Sequence, residues 1–222
     1  MHYDFKLQYD PTAIPALAAR YLATPYQDRA AADWDRLAEE AGWRLVNCPF
    51  DVADVGTIVL WKSHRRMDLF EQNDPSDVEA AVKDAIAATH AADVRGAIQS
   101  LTRRSGVGLK MASAILTAMF PTLYTVCDFR ASHALGQKDF SSLRYYIEYL
   151  AECRAMAAQY RVSLRDFDRA NWRWSKEQSK NKNKTRRCEE CCWENKTQAG
   201  ANLMAQASVI GTGTGARDCG TT

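Results

Sequence analysis

The stretch that most constrains the fold is residues 94–136, VRGAIQSLTRRSGVGLKMASAILTAMFPTLYTVCDFRASHALG. Val94, Ala97, Ile98 and Leu101 recur at helical spacing, which predicts one buried helical face. Ser105-Gly106-Val107-Gly108 interrupts that stripe, and Ala112, Ile115, Leu116 and Met119 begin another. Two helices joined by a tight glycine turn are expected. Gly106 and Gly108 adopt positive φ at little cost and present bare backbone N–H groups at a helix start. Such a row of N–H groups forms a small concavity for an anion. A nucleic-acid phosphate fits it without sequence preference.

The second half of the stretch carries reactive groups. Lys110 falls in the first turn of the second helix, and Asp128 follows a loop broken by Pro121. Asp128 stands where a third helix, Phe129 to Leu135, is expected to begin, and Gly136 then ends that helix. An aspartate at a helix N-terminus caps it and stays ionised. Two readings are open: a solvated lysine with a capping aspartate, or a pair of reacting groups.

GVGLKMASAIL followed by VCDFRASHALG resembles the helix-hairpin-helix DNA glycosylases of the endonuclease III superfamily, and its wording is similar to a less characterised branch of it. Gly106, Gly108, Lys110, Phe120 and Asp128 fall at the family's spacing without a gap. The strict match covers about 35 residues, and a looser helical pattern runs from roughly residue 50 to 175. Ser105 replaces the family's usual proline, and Phe129-Arg130 its usual Thr-His. The resemblance implies an all-α, two-lobe helical bundle with a helix-hairpin-helix at 94–120 and an active cleft between the lobes. It implies an enzyme that flips a modified or damaged base out of double-stranded DNA and cleaves its N-glycosidic bond. Asp128 and Lys110 are then the catalytic pair. Ser105, Gly106, Val107, Gly108 and Leu109 hold DNA, joined by Lys62 and Arg65 of the segment Trp61-Lys62-Ser63-His64-Arg65-Arg66. Candidates for the base pocket are Trp61, Tyr124, Phe129 and Arg130, with core packing as the alternative for each.

The chemistry fits that assignment. Cleaving an N-glycosidic bond builds positive charge on the sugar, as in glycoside hydrolysis. A carboxylate near C1′ stabilises that charge, and an amine of lowered pKa can attack C1′ to form a Schiff base. Whether Lys110 attacks, adding lyase activity, or water does, leaving an abasic site, is left open. So is the target: endogenous damage or a modified phage base. The alternative is a non-catalytic helix-hairpin-helix DNA-binding protein, which has no need of a carboxylate at position 128.

The chain of 222 residues carries a net charge of +2, so affinity for DNA must come from a local basic patch. No apolar run suits a membrane span, and MHYDFKLQYD has no secretory core. A cytoplasmic, nucleoid-associated monomer is expected, with no membrane partner. Cys48, Cys127 and Cys153 read as buried thiols. Many members of the family the chain resembles hold an iron–sulfur cluster through four closely spaced C-terminal cysteines, but Cys188, Cys191, Cys192 and Cys219 do not reproduce that spacing. No cluster and no required cofactor are expected. The four cysteines remain a weak alternative metal site, and the hairpin leaves room for a monovalent cation.

The rest of the chain is read as helical. Ile14, Leu17, Ala18, Tyr21 and Leu22 share one face. A second helix is expected from about Arg29 to Ala41, with Trp34, Leu37 and Ala38 inward. WRLVNCPF, from Trp43, reads as a short strand or irregular. Val52 to Val59 favour helix. Ser76 and Glu79 form a capping box. Leu143 to about Tyr160 and Leu164 to Trp174 complete a body over residues 1–175. Beyond it, Lys176, Lys180, Lys182, Lys184, Arg186 and Arg187 stand against one acid, Glu177. Residues 176–222 are therefore expected to form a basic, poorly ordered tail.

Overall fold

A computed structural model describes residues 3–26, 28–138 and 142–179. It is almost wholly helical. The helices are α1 Ile14–Leu22, α2 Ala31–Asn47, α3 Val52–Ser63, α4 Met67–Phe70, α5 Pro75–His90, α6 Val94–Thr102, α7 Leu109–Met119, α8 Phe129–Ala134 and α9 Leu143–Gln159. The last, α10, spans residues 164–179. The strands β1 Pro25–Tyr26 and β2 Arg29–Ala30 make a minimal antiparallel pair. Residues Met1–Lys176 form one compact unit; of the second, Glu177–Thr222, only residues 177–179 are described. Cys188, Cys191, Cys192 and Cys219 lie outside the described residues, as does most of the expected basic tail.

The unit is built around α7, in which Met111 to Met119 are all buried. Its sequence, LKMASAILTAM, is apolar around its circumference, as a core helix requires. Its small residues let neighbours approach closely. A Cβ on Gly42 of α2 would lie 2.2 Å from the backbone carbonyl of Ala118, so only glycine allows α2 to sit this close. α2 packs on α3 and α7, and α5 lies along α6.

Side-chain caps start α3, α5, α6, α8 and α9, and several helix ends differ from expectation. α2 begins at Ala31, because residues 25–30 close the short β pair, and it runs on to Asn47. Trp43 to Asn47 are helical because the buried positions Trp34, Ala38, Ala41 and Leu45 keep the 3.6-residue period. Cys48, expected inside, is exposed just past the helix end, whereas Cys127 and Cys153 are buried. The cap of α5 is Asp74, whose Oδ1 accepts from the Ser76 N–H at 2.8 Å. Pro75 takes the first helical position, where its missing N–H costs nothing, so Ser76 lies inside the helix rather than at its cap. α10 extends past Trp174 through the last described residue, 179.

The turn between α6 and α7 is held by Asn73. Its Oδ1 accepts from the Ser105 N–H at 2.8 Å, and its Nδ2 donates to the Ser105 carbonyl at 3.0 Å. Gly106 has φ +75°, and a Cβ there would meet the backbone N of Phe70 at 2.9 Å. The fold itself therefore demands glycine at 106. Gly108 is different. It caps α7 with φ −82° and ψ 179°, and a Cβ there would meet nothing within 4 Å.

Candidate active site

The segment from Tyr124 to Asp128 is irregular and mostly buried, so its backbone groups need partners. α9 and α7 supply them. Tyr146 donates its hydroxyl to the Thr125 carbonyl and Tyr149 to that of Val126, while the Cys127 N–H reaches Ser113 Oγ. These bonds deliver Asp128 to the start of α8 in a fixed orientation. Asp128 Oδ1 accepts from the N–H groups of Arg130 and Ala131 at 2.9 and 3.0 Å. Its other oxygen, Oδ2, lies 3.1 Å from the ammonium group of Lys62, at the C-terminal end of α3. Burial pushes this carboxyl up, but Lys62 and the two N–H groups outweigh it and hold it below the ordinary carboxylate range. Asp128 is thus an ionised carboxylate in a largely water-shielded place.

That carboxylate opens into a cleft of about 890 Å³. The lining includes nine lysines and arginines and two aspartates, so a chain of net charge +2 concentrates positive charge at one concavity. Such a concavity attracts polyanions. Lys62, Arg65, Gly106, Val107, Gly108, Leu109 and Lys110 all line it, as do Trp61, Phe129 and Arg130. Two expected site residues do not. Ser105 is exposed beside Asn73. Tyr124 is buried in the core, its hydroxyl 3.0 Å from Thr89 Oγ1 and its ring beside Phe120. Trp61 reaches the cleft but is anchored by its indole N–H to Asp35 Oδ1 at 3.0 Å.

The wall supplied by α10 was not legible in the sequence. Asp35 on α2 is buried and accepts from Tyr21, Trp61, Arg165 and Arg169. Arg165 also contacts Glu39 and Asp168, and Arg169 contacts Glu39 and Asp166. Arg165, Asp168, Arg169, Trp172 and Lys176 all face the cleft. The Arg130 guanidinium lies 4.8 Å from the Phe129 ring and 5.4 Å from that of Trp172, and the Lys176 ammonium lies 4.6 Å from the same tryptophan. Cations interleaved with aromatic faces suit stacked bases and phosphates alike. The Nη1 of Arg130 is buried with no hydrogen-bond partner among the described residues.

Among the described residues no group of His, Cys, Asp and Glu side chains is arranged to hold a metal ion. No helix there is long and apolar enough to cross a membrane. The chain matches no protein-family model, and comparisons with curated proteins and with solved structures also return no match.

Proposed function

We propose that this protein is a DNA glycosylase of the helix-hairpin-helix kind, with the α6–α7 turn as its hairpin and the basic cleft as the place where a base is bound after leaving the duplex. The observation that carries the reading is Asp128: an ionised, helix-capped and ion-paired carboxylate inside a cleft otherwise dominated by cations. Such a charge opposes the binding of a polyanion. A protein that only held DNA would gain a helix cap from it but no binding energy, whereas an enzyme that builds positive charge at C1′ also gains a fixed electrostatic partner. On this reading the two lobes are the helical groups flanking the cleft.

The other parts take roles that follow from their chemistry. The Gly108 backbone and the first turn of α7 approach a phosphate, since nothing within the fold requires a bare Cα at 108. Arg65 and Lys110 add charge along the same wall. Phe129, half exposed, and Trp172 offer ring faces to a base taken out of the stack. Asp128 stabilises the oxocarbenium-like sugar and orients the attacking group. The amine held against Asp128 is that of Lys62, so lyase chemistry has two candidate lysines in one cleft, Lys62 and Lys110. The test is incubation with duplexes that each carry one modified base, followed by alkali. Strand breaks after alkali indicate base release, and breaks without alkali indicate lyase activity as well. Tight binding with neither would support the non-catalytic alternative.

A further inference from the structure

The cleft holds a second carboxylate whose surroundings are opposite to those of Asp128. Oδ2 of Asp168 accepts from Arg165 Nη1 at 2.6 Å, and among the described residues no other hydrogen bond engages this side chain, which lines the cleft. Arg165 is already shared: its Nη2 bonds Asp35 at 2.8 Å and its Nε reaches Glu39 at 3.3 Å. In this cluster two guanidinium groups, Arg165 and Arg169, face four carboxylates, Asp35, Glu39, Asp166 and Asp168. Glu39 and Asp166 are partly open to solvent, whereas Asp35 and Asp168 are buried. Asp35 collects four donors, and Asp168 has, among the described residues, only the shared Arg165. One buried carboxyl is therefore less well compensated and retains its proton more readily. Asp168, almost fully buried, is that group.

We propose that Asp168 is the general acid of this cleft, giving its proton to the departing base, and that the substrates are bases that are neutral in DNA rather than cationic alkylated ones. The inference rests on the glycosylase reading above. A neutral base leaves with the electron pair of the broken C1′–N bond and needs a proton to carry it away. A cationic alkylated base departs neutral without help, and nine cations in the cleft wall oppose its entry. In the step proposed here the C1′–N bond breaks, its electrons pass to the base, and the Asp168 proton bonds to the base. Water then adds to C1′ and gives a proton to Asp128, and exchange with solvent restores both carboxyls. No redox partner is required.

The charged and titratable groups facing Asp168 support the division of labour. Burial pushes the carboxyl up. Arg165 on its own helix pulls it down, Asp128 raises it, Lys62 on α3 lowers it and Asp35 on α2 raises it, for a net value of about 6. Tyr21 on α1 and Tyr149 and Cys153 on α9 also face it, all held protonated by burial. Two carboxyls pushed apart in one cleft are suited to acid and charge-stabilising roles respectively.

The experiment uses the full chain and short duplexes carrying a single uracil, hypoxanthine, 8-oxoguanine or 7-methylguanine, in single-turnover assays across pH. The expected result is release of one of the three neutral bases, with a rate that falls about tenfold per pH unit above the Asp168 value. Asp168→Asn, which can still accept from Arg165, should lose ~100-fold at neutral pH together with that limb of the profile. Asp168→Glu should restore part of both. Asn at the wild-type rate and pH profile overturns the proposal and leaves the glycosylase reading intact. Preferential release of 7-methylguanine does the same, and so does a wild-type rate that stays flat with pH, which needs no variant. Release of none of the four bases by the wild type overturns this proposal, and the glycosylase reading then stands or falls on a wider set of modified bases.

Discussion

Lys62 Nζ stands 3.1 Å from Asp128 Oδ2, across 66 residues of sequence, and this contact ties the end of α3 to the start of α8. It also sets the charge of the carboxylate. Replacing Lys62 by methionine removes the cation and leaves burial, which pushes the Asp128 carboxyl up, opposed only by two N–H groups. The Asp128 value is lowered in the folded protein. Its contribution to stability is therefore present above the ordinary aspartate pKa and lost as pH falls through the folded value. In Lys62→Met that loss moves to higher pH, and the acid limb of any base-release profile moves with it. Urea unfolding and single-turnover rates measured from pH 3 upward check both shifts; an unmoved acid limb would show that Lys62 does not govern Asp128.

The two glycines of the turn should separate folding from binding. Gly106→Ala places a Cβ 2.9 Å from the Phe70 backbone at φ +75° and should cost at least about 1–2 kcal/mol in urea unfolding. Gly108→Thr meets open space at a position where threonine caps about as well as glycine. Its stability should stay within about 0.5 kcal/mol of wild type. Its affinity for DNA, modified and unmodified alike, should fall, because the added methyl group obstructs the phosphate. Unchanged affinity at fixed salt would remove the turn from the interface.

Asp35 should be the costliest single carboxylate to lose for folding. Asp35→Ala strips a buried acceptor from Tyr21, Trp61, Arg165 and Arg169. It breaks the buried ion pair that each arginine makes with this carboxylate, a change that typically costs about 3–5 kcal/mol. Denaturant unfolding should show it, and a loss of under ~1 kcal/mol would mean that the cluster relaxes freely.

The difference between what the sequence revealed and what it hid has a physical pattern. Local signals were legible. The stripes of α1, α6 and α7, the glycine turn and the Asp128 cap each depend on residues within a few positions of one another. Lys110 and Asp128 could be placed on one site because their spacing resembles a known pattern. The pairing of Lys62 with Asp128 and the cluster of Asp35, Arg165 and Asp168 bring together residues from distant helices. An aspartate inside an amphipathic helix reads as a solvated position until the partner helix is in place, and that is how Asp35 and Asp168 escaped notice. Trp172 escaped for the converse reason, since an aromatic at helical spacing reads as core. Asp74 was hidden by a neighbouring signal, Ser76-x-x-Glu79, which fits the capping pattern equally well when Pro75 is ignored.

The most direct measurement is base release by wild type and by Asp128→Asn on duplexes that each carry one modified base. Asparagine keeps the size of the side chain and an oxygen to accept from Arg130 and Ala131, but it carries no charge. The account predicts alkali-sensitive breaks with the wild type on at least one duplex, a loss on the order of a hundredfold or more with Asp128→Asn, and DNA binding by the variant at least as tight as by the wild type. Full base release by Asp128→Asn would contradict it.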